Sequence, residues 1–364
     1  LHMMRMEHKP TREMLRAVTT AVAALRSLGV AEPAAHIVTV TARRGNITSL
    51  LVKRQSFTAD ELARLDAWTG RSPHFGVTAA PGRNAKAENT YQAFLEQGSP
   101  QRERAFVAEY PFDIVPTEDD RPFFFRFSRW WHLFPADPVV WATVPVMEMS
   151  LVLLLGAVGL ASLVVVGLPL RLLQRQGRPR GLLRYGFYFT CIGLGFMAIE
   201  MAFLQRFGLL LGHPSYALSV VLASLLFGSG VGALYSSAII ARLGGLRFTA
   251  YALCGLMLAQ LLLLPRPAVL VTQPFALRAL LVVLLTGAAG ALMGTFFPAG
   301  LDRLKSVSAT YVPWAWGLNG IASVLAPILS IGIAITFGNA FLLAIALPLY
   351  LLAGVLLPAE RRAT

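Results

Sequence analysis

Long apolar runs dominate the second part of the chain. Seven of them are long enough to cross about 30 Å of hydrocarbon as helices. The runs lie at about 145–170, 186–211, 215–240, 248–265, 276–297, 314–337 and 340–357. The pattern therefore predicts an α-helical polytopic membrane domain over residues 145–357, with about seven helices and a range of six to eight.

The first part of the chain has shorter and more polar periodicities. Helical spacing predicts a helix that begins at Pro10-Thr11 and stops at Gly29, because glycine is common just after a helix end. Residues 1–9 carry no turn or helix-start signal, which favours a chain that begins within a domain. The predicted buried face of the helix consists of Met14, Leu15, Val18, Val22, Leu25 and Leu28.

A β-hairpin is predicted next. The stretches 35–43 and 47–54 are rich in β-branched residues, and residues 44–46 between them form a turn sequence. No complete β–α–β crossover is predicted. These elements are therefore too few for a whole parallel sheet, although they fit the C-terminal half of one.

Three further elements follow the hairpin. Residues 58–61 form a capping box, which predicts a short helix that ends near Gly70. We expect a short strand at 75–79 and a short helix at 89–97. The interpretation is an incomplete α/β piece over residues 1–110, a junction over 111–144, and then the helical domain.

The charge distribution divides the chain at the same place. Residues 1–144 hold 18 Lys and Arg against 15 Asp and Glu, whereas residues 145–364 hold 14 against 4. With 55% hydrophobic residues, 14% charged residues and a mean hydropathy of +0.60, the chain does not fit the soluble, disordered or disulfide-rich classes. Arginines beside apolar segments explain the net charge of +13, so no nucleic-acid partner is expected.

Basic residues also indicate an orientation. With seven spans, one side of the membrane receives eleven Lys and Arg and the other side receives six. The positive-inside rule then places the C-terminus inside and the first part outside. If the number of spans differs from seven by an odd number, the first part and the C-terminus lie on the same side of the membrane. The partner is the lipid bilayer, and we expect a bacterial-type inner (plasma) membrane.

Small residues recur at a spacing of four in two of the apolar runs. They are Gly228, Gly232 and Ser236 in one run and Gly290 and Gly294 in the other, where Gly287 lies one turn before Gly290. Such spacing lets helix backbones approach closely, which favours helix packing over a glycine-lined substrate channel. Cys191 and Cys254 are expected to be buried thiols, and no metal-binding motif is present.

An acidic and aromatic segment at residues 116–125 contains the first candidate site, Asp119, Asp120 and Arg121. One interpretation is a membrane-entry segment with aromatic residues and arginines at headgroup level. A second is that the paired carboxylates bind a polyamine or another small cation. A third is a structural clasp between aspartate and arginine.

The second candidate site lies within the predicted helices. Glu200 is in the middle of an apolar run, where an ionised carboxylate is costly and needs a partner or a cavity. Spacing makes an intrahelical pair with Arg206 doubtful, so Gln260 and Asn319 are the expected partners. Gln205 and His213 complete the polar set. The alternatives are an ion or substrate site and a structural hydrogen bond between helices.

Four stretches together resemble a known family. They are PTREMLRAVTTAVAALRSLG with HIVTV and TSLLVKRQSFTADEL; YPFDIVPTEDDRPFFF; GFMAIEMAFLQRFGLLLGHPSYALSVVLASLLFGSGVGAL; and MGTFFPAGL with WAWGLNGIASVLAP. The chain resembles the C-terminal part of membrane-embedded spermidine-synthase-like proteins. In that family a Rossmann-like domain of the polyamine aminopropyltransferase or class I methyltransferase type is fused to membrane helices.

The resemblance implies that residues 1–110 are the late part of such a Rossmann-like fold, with the hairpin as its last two strands. It also implies that the donor, S-adenosylmethionine or its decarboxylated form, is held by motifs absent from this sequence. No catalytic residue is therefore carried over, and no cofactor is expected in this chain. The resulting expectation is a spermidine-synthase-like fragment that is inactive alone. The alternatives are a polyamine or small-cation transporter and a simple membrane anchor.

Overall fold

The computed structural model describes residues 1–6, 9–42, 46–84, 89–130, 146–169, 171, 181–263 and 270–357. The chain forms two compact units. The first comprises residues 1–118 and 122–149, and the second comprises residues 119–121 and 150–364. The described part of the predicted junction therefore belongs mostly to the first unit, and only Asp119–Arg121 belong to the second.

The first unit is a small α/β structure. Its elements are β1 (His2–Met6), α1 (Glu13–Ser27), β2 (Ile37–Ala42), β3 (Ile47–Val52), α2 (Ala59–Gly70), β4 (Phe75–Ala79), α3 (Thr90–Leu95) and α4 (Pro100–Glu109). The hairpin, the capped helix, the strand at 75–79 and the short helix near 90 are confirmed. The predicted turn residues 44 and 45 lie outside the described residues.

The sheet has the order β1-β3-β2-β4, and all of its neighbouring strands are antiparallel. Because β1 and β2 both run antiparallel to β3, they are parallel to each other, and α1 connects them. The expectation that no β–α–β crossover is present was therefore wrong. Strand β1 escaped prediction because its sequence, HMMRM, has little strand preference, and pairing with β3 holds it in place.

Helices cover both faces of the sheet. On one face, the apolar residues of α1 pack with Ile37 and Leu50. On the other face, Val38 and Val40 contact residues of α2. The predicted α1 face is confirmed except for Leu28, which is 74% exposed because the helix ends at Ser27. Gly29 follows with a φ of 84°, as the helix-stop prediction requires.

The second unit, called the helical unit here, consists of long apolar helices. They are α5 (Val146–Ser162, continued by a π-helix at Leu163–Gly167), α6 (Leu182–Leu211), α7 (Pro214–Leu234), α8 (Ser236–Leu243), α9 (Leu246–Leu263), α10 (Phe275–Gly294), α11 (Phe296–Val307), α12 (Val312–Phe337) and α13 (Asn339–Leu356). The first turn of α5 belongs to the first unit.

Six helical segments of the described chain are long and apolar enough to cross a membrane. The count becomes seven if α8 and α9, which meet at an angle of 85°, form one span. Gly244 and Gly245 make this break with φ angles of 88° and 130°, a conformation that favours glycine. The prediction of seven helices therefore corresponds to the upper count.

Glycines bring α7 and α10 into backbone contact. A Cβ on Gly228 would overlap the carbonyl of Gly287, and a Cβ on Gly290 would overlap the carbonyl of Leu225. The packing interpretation of this small-residue spacing is confirmed. Ser236 does not continue the stripe, because α7 ends at Leu234 and Ser236 begins α8.

Candidate functional site

Several polar side chains collect at one end of the helical unit, where α6 ends and α7, α10 and α13 begin. We call this the polar end. Asp120 lies there and caps α13: its carbonyl accepts from the amide of Asn339 at 3.0 Å, and its Oδ1 accepts from the amide of Ala340 at 2.8 Å. A carboxylate satisfies free amides and opposes the positive end of the helix dipole. Asp119 and Asp120 are both exposed, so they remain accessible.

Arginines tie the helix ends together at the polar end. Arg206, near the end of α6, donates to the carbonyl of Gln260 at 3.0 Å and interacts electrostatically with Asp120. Arg278, in the first turns of α10, donates to the carbonyl of Leu210 at 2.6 Å. Helix ends leave several carbonyls without partners, and these guanidinium groups occupy two of them.

Buried polar atoms without a hydrogen-bond partner concentrate in the same region. Within the described part of the helical unit they are Arg121 Nε, Gln205 Oε1, Arg278 Nε and Asn339 Oδ1. Each buried polar atom that lacks a partner costs about 1–3 kcal/mol. The polar end therefore contains both donors and acceptors that a polar ligand or water can satisfy.

Glu200 lies deeper, about one turn and a half along α6 from Arg206. Its side chain is half-buried, and it makes no hydrogen bond or ion pair with any described residue. The predicted partners of Glu200, Gln260 and Asn319, instead donate hydrogen bonds to backbone carbonyls. Gln260 donates to the carbonyl of Leu285 at 3.4 Å, and Asn319 donates to the carbonyl of Phe189 at 3.1 Å.

Asn319 lies where α12 approaches Gly193 closely. Gly193 is seven residues before Glu200 on α6, so Asn319 is about 10 Å from Glu200 along the helix axis. His213 is also structural: its Nδ1 accepts from the amide of Ser215 at 3.2 Å and caps α7. The structure thus brings Asp120, Arg206 and Gln260 to one end and leaves Asn319 apart.

Sequence reasoning missed the densest polar cluster, which lies in the first unit. Asp113 is 3.2 Å from Arg16 and 3.1 Å from Arg126, and Arg126 is 2.9 Å from Glu148. Ser128 donates to the second oxygen of Glu148 at 2.7 Å. We call these residues the charge network. A signal was present in Glu148, an acid at the start of an apolar run, which needs a partner.

The charge network stabilises the fold of the first unit. Arg16 also donates to the carbonyls of Phe123 at 2.9 Å and Phe124 at 2.8 Å, which fixes the acidic and aromatic segment against α1. The Asp–Arg clasp considered for Asp119–Arg121 therefore exists a few residues away, at Asp113 and Arg126. Because Asp113 and Glu148 each already face a guanidinium, the described residues of the cluster leave neither carboxylate free for a ligand.

The described residues contain no group of three or more His, Cys, Asp or Glu placed to hold a metal ion. Cys191 is a buried free thiol, as expected. Cys254 is also free but only half-buried, and its Sγ lies 3.7 Å from the carbonyl of Leu347.

Comparison of the chain with protein-family models, with curated proteins and with solved structures finds no match.

Proposed function

We propose that this chain is an integral membrane protein of the spermidine-synthase-like type, in which the first unit is the second half of a Rossmann-like transferase domain. The observation that carries the proposal is the strand order. Parallel strands β1 and β2 are joined through α1, and β3 lies antiparallel between them. An antiparallel last strand inserted in this way is what the class I methyltransferase-like resemblance implies. Strand β4 departs from that pattern and adds a fourth strand beside β2.

The layers of the first unit support the same proposal. Helices cover both faces of the sheet, as in Rossmann-like folds. On β1, however, Met4 and Met6 remain 59% and 61% exposed on the face that α2 covers elsewhere. The mostly parallel strands of a complete Rossmann-like sheet are normally buried on both faces, so we propose that in the whole domain additional polypeptide covers β1.

Donor binding is proposed to need residues outside this sequence. The sequence has no GxGxxG after a strand and no GxxxxGK[ST]. The chain alone is therefore proposed to be inactive as a transferase. Its own contribution is the acidic pair Asp119 and Asp120, proposed to hold the cationic amine, within a protein of the bacterial-type inner membrane.

The test is a calorimetric titration of the chain in lipid nanodiscs with putrescine, spermidine, S-adenosylmethionine and decarboxylated S-adenosylmethionine. We expect polyamine binding that weakens about tenfold in Asp119→Asn/Asp120→Asn, because a charge-assisted contact is worth about one order of magnitude. Asparagine keeps the acceptor that caps α13, so the fold is retained. Asp302→Asn, an exposed acid of α11, is the matched control.

Two results would count against this function. Absence of polyamine binding would remove the amine site. Binding of either donor by the chain alone would contradict the assignment of donor binding to residues outside it.

Glu200 favours a second candidate function, export or uptake of polyamines or other small cations. An acid in mid-span without a described partner is costly, and such residues commonly mark ion or substrate pathways. Its test is spermidine uptake into proteoliposomes. Transport predicts that Glu200→Gln abolishes uptake while the folded fraction stays unchanged. Equal uptake by the two proteins would exclude Glu200 as a carrier of the cation.

A further inference from the structure

A cavity of about 570 Å³ lies at the break between α8 and α9 in the helical unit. Its polar wall is formed by Ser236 and Ser237 from α8, Arg247 from α9, and Asp302 and Arg303 from α11. The glycines of the break form part of the same wall. This cavity lies away from the polar end, and the proposed function does not use it.

The cavity carries positive charge that is free to bind a ligand. The guanidinium groups of Arg247 and Arg303 make no hydrogen bond or ion pair with the residues that the structure describes. The opposing acid, Asp302, is 3.8 Å from Lys305 and is thereby partly neutralised. Two arginines at one cavity suit a phosphate group, because each guanidinium can present two parallel donors to its oxygens.

The geometry of the break favours a cavity at the depth of lipid headgroups. Helix α8 has only eight residues and stands at 85° to α9. With α9 as the crossing part of this bent pair, α8 would lie along the membrane surface, as short amphipathic helices do. Beside the cavity, Leu243 and Phe248 are 38% and 56% exposed and offer apolar surface for acyl chains.

We propose that this cavity binds the phosphate of an anionic membrane lipid, held by Arg247 and Arg303. The start of α9 in the cavity wall adds free backbone amides to the two guanidinium groups. Basic pockets between helices on the cytoplasmic side are suited to anionic headgroups. The inference rests on the proposed membrane placement of the helical unit, and it is independent of polyamine chemistry.

The test uses the full chain in detergent and native mass spectrometry with phosphatidylglycerol, with phosphatidylcholine as the zwitterionic reference. Thermal unfolding under the same conditions gives a second readout. We expect phosphatidylglycerol to remain bound and to raise the unfolding temperature more than phosphatidylcholine does. In Arg247→Gln/Arg303→Gln the apparent affinity for phosphatidylglycerol should fall about tenfold.

Arg242→Gln is the matched control, because Arg242 is an exposed arginine of α8 that does not line the cavity. It should keep the affinity of the wild-type protein. Arg247→Lys/Arg303→Lys retains the charges and should recover most of the preference for phosphatidylglycerol. This variant also keeps the test decisive if the glutamine variant does not fold.

Three results would overturn the proposal. The first is equal retention of phosphatidylglycerol and phosphatidylcholine by the wild-type protein. The second is unchanged affinity in the glutamine variant. The third is a shift of the same size with inorganic phosphate, together with displacement of the lipid, which would assign the cavity to a soluble phosphate. Spermidine titration of the same sample tests the proposed function separately.

Discussion

The two units of this protein treat buried charge in opposite ways. In the first unit Arg16, Asp113, Arg126 and Glu148 are all at least nine-tenths buried, and each carboxylate faces a guanidinium. In the helical unit Glu200 is half-buried and has no partner among the described residues.

The difference separates two uses of charge. Removal of one member of a buried pair leaves the other charge uncompensated, so a paired network holds a fold together. An unpaired acid within apolar surroundings destabilises the fold, so such a residue commonly has a function in binding or transport. We therefore assign the charge network to structure and propose a functional role for Glu200.

The largest effect is expected from breaking the charge network. Arg126→Met retains an unbranched apolar side chain close in size to the arginine stem and leaves Asp113 and Glu148 without their shared partner. We expect the first unit to lose about 3–5 kcal/mol of unfolding free energy. Denaturant titration followed by hydrogen exchange of α1 measures the loss.

The matched control is Arg104→Met, an exposed arginine of α4, which should change stability by less than about 0.5 kcal/mol. Equal effects of the two substitutions would show that the network contributes nothing beyond a surface charge.

The stability of the helical unit should depend on side-chain volume at the close contact between α7 and α10. Gly228→Ala places a Cβ against the backbone of Gly287 and should cost about 1–3 kcal/mol through overpacking. Gly230 on the same helix has nothing within 4 Å of the added Cβ, so Gly230→Ala should stabilise the helix by about 0.5–1 kcal/mol. Thermal unfolding in detergent compares the two. Shifts of the same sign would contradict close packing of α7 on α10.

The role of Asp120 as a cap predicts a smaller effect. Asp120→Ala removes the acceptor for the amide of Ala340 and should cost about 1 kcal/mol. Asp120→Asn retains an acceptor oxygen and should cost less, so a comparison of unfolding temperatures separates the hydrogen bond from the charge. If the asparagine variant is as unstable as the alanine variant, the charge is what stabilises α13.

The smallest effect concerns an exposed charge pair in the first unit. Hydrogen bonding to Lys53, at 2.7 Å, lowers the pKa of Glu61 to about 2 from its ordinary value of 4.5. Because the pKa is lower in the folded state, the stabilisation is complete above pH 4.5 and is lost as the pH falls towards 2.

We therefore expect Glu61→Gln to reduce hydrogen-exchange protection of α2 at pH 6 but to match the wild-type protein near pH 2. Asp60→Asn, in the same turn and without the lysine, serves as the control. A difference between wild type and Glu61→Gln that does not change with pH would contradict the ion pair.

Local signals in the sequence predicted much of the fold. The lengths of the apolar runs follow from the thickness of a bilayer, and the capping box at Thr58 and Glu61 fixed the start of α2 within one residue. Gly228 and Gly290 were recognised because small residues at a spacing of four have one common structural use.

Tertiary pairing explains what the sequence did not predict. Strand β1 has weak local preference and forms on the edge of β3. Arg16 is buried only because residues 112–127 pack over α1. The 85° angle between α8 and α9 depends on the positive φ angles of Gly244 and Gly245. Glycine allows such angles but does not require them, so the sequence alone does not predict the bend. The partners of Gln260 and Asn319 are backbone carbonyls, which no pattern of side chains identifies.

The contrast between paired and unpaired charge is tested most directly by two neutral substitutions of the same kind. Thermal unfolding is measured for Glu148→Gln and Glu200→Gln beside the wild-type protein, in the same detergent and at neutral pH. Our account predicts a large fall in unfolding temperature for Glu148→Gln, because buried Arg126 loses one of its two carboxylate partners. It predicts an unchanged or higher temperature for Glu200→Gln, because Glu200 has no described partner to lose. A fall for Glu200→Gln as large as that for Glu148→Gln would contradict it and would make Glu200 a structural residue.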